Sequence, residues 1–156
     1  MSRGRGTRRQ GRELALKIIY WLKSSEDDLQ AVLSDFWNNF RFRNDALGEP
    51  ADDAPVNEDA RLFAEKLVRG VHQHLDEIDG MISRCSSNWS LDRMARVDLS
   101  LLRLGAFELK HCPDVPTSVV INEAVEIGKR YGTAETAPFV NGILDRIARE
   151  ERNGSA

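Results

Sequence analysis

Along most of this chain of 156 residues, apolar positions recur at three- and four-residue intervals and rarely alternate in twos, a pattern that predicts helices and no sheet. Leu14, Ala15, Ile18, Ile19 and Leu22 form the buried stripe of a first helix over about residues 8–24. Asp27 and Asp28 can cap a second, in which Leu29, Val32, Leu33, Phe36, Trp37 and Phe40 share a face and which ends near Arg43. The acidic, proline-bearing stretch NDALGEPADDAPVN over 44–57 has little to bury and predicts a solvated connection. Asn57, followed by Glu58 and Asp59, suits a helix start, and the stripe Leu62, Phe63, Leu67, Val68 and Val71 continues through Leu75, Ile78, Met81 and Ile82 to about Cys85, with a break expected near Asp79-Gly80.

Ser90 is placed to cap the next helix, with Trp89 folding back on it as a hydrophobic staple. From Leu91 to Leu109 apolar residues occupy nearly every face, as expected of a central, largely buried helix that Pro113 stops. Pro116 opens the following helix, whose stripe Val120, Ala124, Ile127, Tyr131 ends at Gly132, read as a left-handed capping glycine. Thr136 to Pro138 begins the last helix, with Phe139, Val140, Ile143, Leu144 and Ile147 inward and Gly142 expected at a close approach to another helix, before a frayed tail ERNGSA. The result is an all-α chain of about seven helices in a single domain, a size at which about 70% of the unfolded surface can be buried.

Charge changes the picture. The chain is acidic overall, with net charge −3, yet its first twelve residues hold five arginines and no acid, while residues 24–59 hold ten acids against Arg41 and Arg43. A basic tip on an acidic body points to a polyanionic partner met at one place. Arginine in place of lysine favours nucleic acid, because the guanidinium forks onto phosphate and stacks on bases. Arg8, Arg9 and Arg12 stand directly before the first apolar stripe, on the opening turns of a packed helix.

Other chemistry is thin. Cys85 and Cys112 are the only cysteines, without a CxxC, and read as reduced thiols; His72 and His74 are two apart and His111 stands alone, so no metal site and no cofactor is expected. No phosphate-binding glycine loop, HExxH or nucleophile frame is present, which argues against an enzyme. No apolar run is long enough for a bilayer span or a secretory signal, so a cytoplasmic protein with no membrane partner is expected.

VPTSVVINEAVEIGKRYGTAETAPFVNGILDRI over 115–147 resembles the C-terminal half of the NusB family of bacterial transcription antitermination factors, and the likeness extends to VDLSLLRLGAFEL over 97–109 and to the arginine-rich opening followed by ELALKIIY. The acidic 44–57 connection falls outside it. The resemblance implies one RNA-binding domain over 1–156 built of two small helical bundles, here about 8–78 and 79–149, with no catalysis. It implies pairing with NusE, a small-subunit ribosomal protein, binding of the single-stranded boxA element of nascent ribosomal RNA, and entry with other Nus factors onto RNA polymerase. It also leaves a homodimer open, since some members of the family dimerise.

For individual residues, Arg8, Arg9 and Arg12 match the family's RNA-binding opening, and Tyr131, Glu135 and Phe139 lie where the family places RNA, although the stripe equally makes Phe139 a core residue and Glu135 could cap the last helix. Asp98 falls at the position of the NusE contact; its alternative is an internal pair with Arg103 or Arg96. Arg103 and Glu123, each bracketed by apolar residues, are expected to pair with each other. The competing functions are a self-associating helical RNA-binding adaptor acting without NusE, and the RNA-binding module of certain ribosomal RNA methyltransferases, which carry an α/β methyl-transfer domain that these residues do not contain.

Overall fold

A computed structural model describes residues 3–39, 56–87 and 89–153, and among them all regular structure is helical. Seven α-helices follow in order: α1 (Arg3–Ile19), α2 (Leu29–Asn39), α3 (Glu58–Gln73), α4 (Leu75–Cys85), α5 (Arg96–His111), α6 (Thr117–Tyr131) and α7 (Thr136–Ala148). The chain divides into two compact units, Met1–Gln73 and His74–Ala156. No helix of the described residues is long and apolar enough to cross a membrane. The connection expected over 44–57 falls, except for its last two residues, outside the described residues, as does the end expected for α2 near Arg43.

In the first unit α1 packs on α3. Leu14, Ala15, Ile18 and Ile19 are buried with Ala60, Ala64, Leu67, Val68 and Val71; of the stripe expected for α3, Leu62 is instead exposed and Phe63 half-buried, the two alanines facing the core in their place. The helices meet closely because position 11 has no side chain: a Cβ on Gly11 would lie 2.6 Å from Phe63 Cδ2 and 3.1 Å from the Ala60 carbonyl. Asn57 Oδ1 caps α3, accepting from the Asp59 and Ala60 amides at 2.7 and 3.2 Å, and Asp28 Oδ1 accepts from Ala31 at the start of α2. α1 ends earlier than the expected residue 24, since the Trp21 and Leu22 amides bond the Ile18 and Ile19 carbonyls three residues back and tighten the chain into a turn that still buries Leu22.

In the second unit α5 is central, buried at every residue from Ser100 to Leu109, and packs against α4, α6 and α7. Four local expectations are corrected here. The helix break falls at His74 and not at Asp79-Gly80, because burial of Ile78, Met81 and Ile82 outweighs the roughly 1 kcal/mol cost of Gly80 within α4. The central helix begins at Arg96: Leu91–Arg93 is a single 3-10 turn, Ser90 makes no side-chain cap, and Met94 turns extended, with its side chain buried. Gly132 has φ −105°, ordinary extended backbone, and is required for space, since a Cβ there would strike the Thr136 side chain. A Cβ on Gly142 would meet nothing within 4 Å; the close approach belongs to Gly105, where a Cβ would lie 2.7 Å from Leu144 Cδ1 of α7.

The tail is not frayed at its start. α7 continues as a π-helical turn, Arg149–Asn153, in which Arg152 reaches the carbonyls of Glu108, Leu109, Cys112 and Val115 at 2.6–3.1 Å. Residues 154–156 lie outside the described residues. Cys85 is buried, and desolvation aided by Glu150 pushes its thiol up to about 11, so it remains an inert protonated thiol at neutral pH.

Candidate nucleic-acid interface

On the first unit the arginines share a ring. Arg8 and Arg12, four residues apart on α1, lie on one helix face. Their guanidinium carbons stand 4.4 and 5.4 Å from the centroid of Phe63, which α3 holds in place through the close contact at Gly11. The two are not equivalent. Arg8, one turn nearer the N-terminus of α1, is exposed, whereas Arg12 is only 5% exposed and engaged within the protein. Arg9 is half-buried. Arg8 is thus an accessible guanidinium already positioned on an aromatic face.

On the second unit the loop between α6 and α7 is organised by hydroxyls. Thr136, 1% exposed, donates from Oγ1 to Asp98 Oδ1 at 2.7 Å and accepts from the Thr133 amide at 3.0 Å, while the Glu135 amide donates to Thr133 Oγ1 at 3.3 Å. Asp98, in the first turn of α5 and half-buried, thus accepts from a hydroxyl, and of the two arginines considered for it Arg103 is taken elsewhere, forking onto Asp79 with both bonds 2.9 Å. That fork also replaces the pair expected between Arg103 and Glu123. Asp79 lies one turn along α4 from Leu75, a helix that the expected break would have interrupted at this very residue.

Glu135 occupies the N-cap of α7 but its carboxylate makes no capping bond; it is exposed. Tyr131 is buried, 8% exposed, with the Arg130 guanidinium 5.2 Å from its ring. Phe139 is half-buried and meets Trp89 edge to face, centroids 5.7 Å apart at 72°. Trp89, 52% exposed, therefore serves α7 and not the staple expected of it.

The family model of NusB, described as the NusB family, matches residues 9–149. The chain belongs to the NusB family. The transcription antitermination protein NusB of Syntrophotalea carbinolica is 61% identical over 146 residues, covering 92% of this chain and 93% of that protein, and that of Myxococcus xanthus is 48% identical over 143 residues, covering 92% and 95%. Among solved structures, T. maritima NusB superposes with a TM-score of 0.72 at 36% identity, covering 92% of each chain. A structure of the antitermination factors NusB and NusE in complex with double-stranded RNA matches with a TM-score of 0.74 at 25% identity, covering 96% of this chain and 99% of that one. NusB-family proteins are transcription antitermination factors and not enzymes.

In this NusB-family chain, charge singles out Arg8 and the resemblance singles out the loop, and neither reveals the residues that hold them in place. Phe63 reads as one more apolar stripe residue, and nothing in the spacing of Gly11, Thr136 or Trp89 announces a partner 38 to 52 residues away. The fold also gathers His74, Glu77 and His111, donor atoms within 4.8 Å of one another, which the sequence positions keep apart.

Proposed function

We propose that this chain is a transcription antitermination factor that pairs with NusE, binds boxA RNA of nascent ribosomal transcripts in the cytoplasm, and joins the other Nus factors on RNA polymerase. The observation that carries the reading is Arg8, exposed in the N-terminal half of α1 and seated on Phe63, in a chain 61% identical to a transcription antitermination protein NusB. Arg8 and Arg9 supply the phosphate contacts; Arg12, largely covered, works chiefly by holding the ring that orients Arg8. Phe139 and Trp89 offer ring edges and faces for unpaired bases, Tyr131 supports the loop from beneath, and the exposed carboxylate of Glu135 penalises misplaced phosphate. Asp98 faces NusE with the oxygen not given to Thr136.

The test is a titration of boxA RNA, as a single strand and as a duplex, against the chain alone and with NusE. Two phosphate contacts from Arg8 and Arg9 contribute about −1.4 to the log–log salt slope for a single strand. Arg8→Ala with Arg9→Ala should flatten the slope by that amount, and Arg12→Ala by much less. An unchanged slope in the double variant would remove α1 from the site. Light scattering with and without NusE decides between the heterodimer and a homodimer acting without it.

A further inference from the structure

Three side chains outside the RNA-facing loop and arm converge in the second unit. His74 is the residue before α4, Glu77 lies in the first turn of α4, and His111 is the last residue of α5. His111 Nε2 stands 2.8 Å from Glu77 Oε1, and His74 Nδ1 stands 3.5 Å from the same oxygen. The imidazole rings stack, centroids 4.0 Å apart at 21°, and Phe107 lies behind, 5.4 Å from His111 and 6.3 Å from His74. Both rings thus present a nitrogen toward one carboxylate oxygen.

We propose that His74, Glu77 and His111 bind a divalent transition-metal ion of the zinc type, which clips the start of α4 to the end of α5. Two imidazoles and a carboxylate are a ligand set that such ions accept, with water in the remaining position. Bond lengths near 2.1 Å place the donors of a tetrahedral centre about 3.4 Å apart, and here all three lie within 4.8 Å of one another, so small side-chain rotations close the site. These rotations are open to the three groups, which are 26–41% exposed.

The charges around the cluster are compatible with a cation. The hydrogen bond with His111 holds the Glu77 carboxyl below its ordinary value, so it is an anion at neutral pH. Lys110, the nearest cation, is nearer Glu151, 3.1 Å away, than Glu77, at 3.7 Å, and can keep Glu151 when a metal takes Glu77. Each ring already turns a nitrogen toward Glu77, and in the neutral imidazole such a nitrogen can carry the lone pair that ligates a metal. Protons and metal compete for the same imidazole nitrogens, so binding weakens in acid.

The experiment uses the full chain, stripped with chelator, titrated with Zn²⁺ and with Co²⁺ as a spectroscopic stand-in. Expected are one ion per chain, a melting temperature that rises with Zn²⁺ and not with Mg²⁺, and visible Co²⁺ absorption of low coordination number. His111→Gln and His74→Gln should each weaken Zn²⁺ binding by at least about tenfold, while His72→Gln and Cys112→Ser leave it unchanged. Helical circular dichroism of every variant establishes that it is folded, and if one histidine variant is not, the other decides. No Zn²⁺-dependent rise in the wild type, an undiminished affinity in a folded His74 or His111 variant, or loss of binding in Cys112→Ser would overturn the assignment.

Discussion

Arg152→Ala should be the most destabilising single change in the C-terminal region. The guanidinium donates to the carbonyls of Glu108, Leu109 and Cys112, where α5 runs out of helical partners, and to Val115 O at 2.6 Å and Thr117 Oγ1 at 3.1 Å, which fix the turn into α6. A positive charge at a helix C-terminus also opposes the helix dipole favourably. Hydrogen bonds to a charged group contribute about 1.5–3 kcal/mol each, but one side chain's bonds are not additive and water can replace part of a half-buried network; about two bonds' worth, near 3 kcal/mol, is the expected loss. For a chain of this length that corresponds to a fall of about 6–12 °C in melting temperature, read by circular dichroism. Arg149→Ala is the control: its pair with Asp145 is exposed and spaced i, i+4, and removing it should cost no more than about 0.5 kcal/mol. Arg152→Lys should recover little, because a single ammonium cannot span carbonyls on both sides of the turn. Equal melting of the Arg152 and Arg149 variants would refute the anchoring role, and full rescue by lysine would reduce it to charge alone.

Two further outcomes are expected. Gly11→Ala drives a methyl into Phe63 and the Ala60 carbonyl and should cost about 1–3 kcal/mol; because Phe63 seats Arg8, RNA affinity measured well below the melting range should fall as well, and a stable variant with full affinity would show that the ring does not orient the arginine. Asp98→Asn keeps an oxygen for Thr136 and removes the charge, so it should melt within about 1 kcal/mol of wild type while weakening NusE binding; Asp98→Ala, which leaves a buried hydroxyl without its acceptor, should lower stability by about 1–3 kcal/mol, and a NusE affinity unchanged in Asp98→Asn would limit this residue to the loop.

The helices were legible because burial imposes a 3.6-residue period: the stripes of α1 and α6 are buried, and those of α3 and α7 are too except at Leu62, which is exposed, and at Phe63 and Phe139, which are half-buried. Boundaries were less so. Gly80, the weakest helix former nearby, predicts a break between α3 and α4 at its position, but Ile78, Met81 and Ile82 form a buried turn that a break there would split, and the helices part at His74 instead. The opening of α5 failed for a related reason: Ser90 and Asp92 carry a local capping signature, yet sending Met94 inward takes extended backbone, and packing overrode the local preference. Glycine carried two meanings that sequence alone does not separate. Gly142 and Gly105 both interrupt helical patterns, and only the fold reveals that Leu144 lies against Gly105.

The arginine block shows where charge counting stops. Arg8 and Arg12 are chemically identical and both precede the apolar stripe, so a count of phosphate contacts gives them equal weight. Four residues along α1 bring Arg12 one turn nearer the packed interface with α3, and there its guanidinium is covered while Arg8 stays open. One ring serves both because an i, i+4 pair projects to the same side of the helix. The consequence is a division of labour set by position: the outer arginine can release counterions on binding RNA, and the inner one gains its interactions inside the protein. Substituting the inner residue should therefore register first in melting temperature, and substituting the outer one first in the salt dependence of RNA binding.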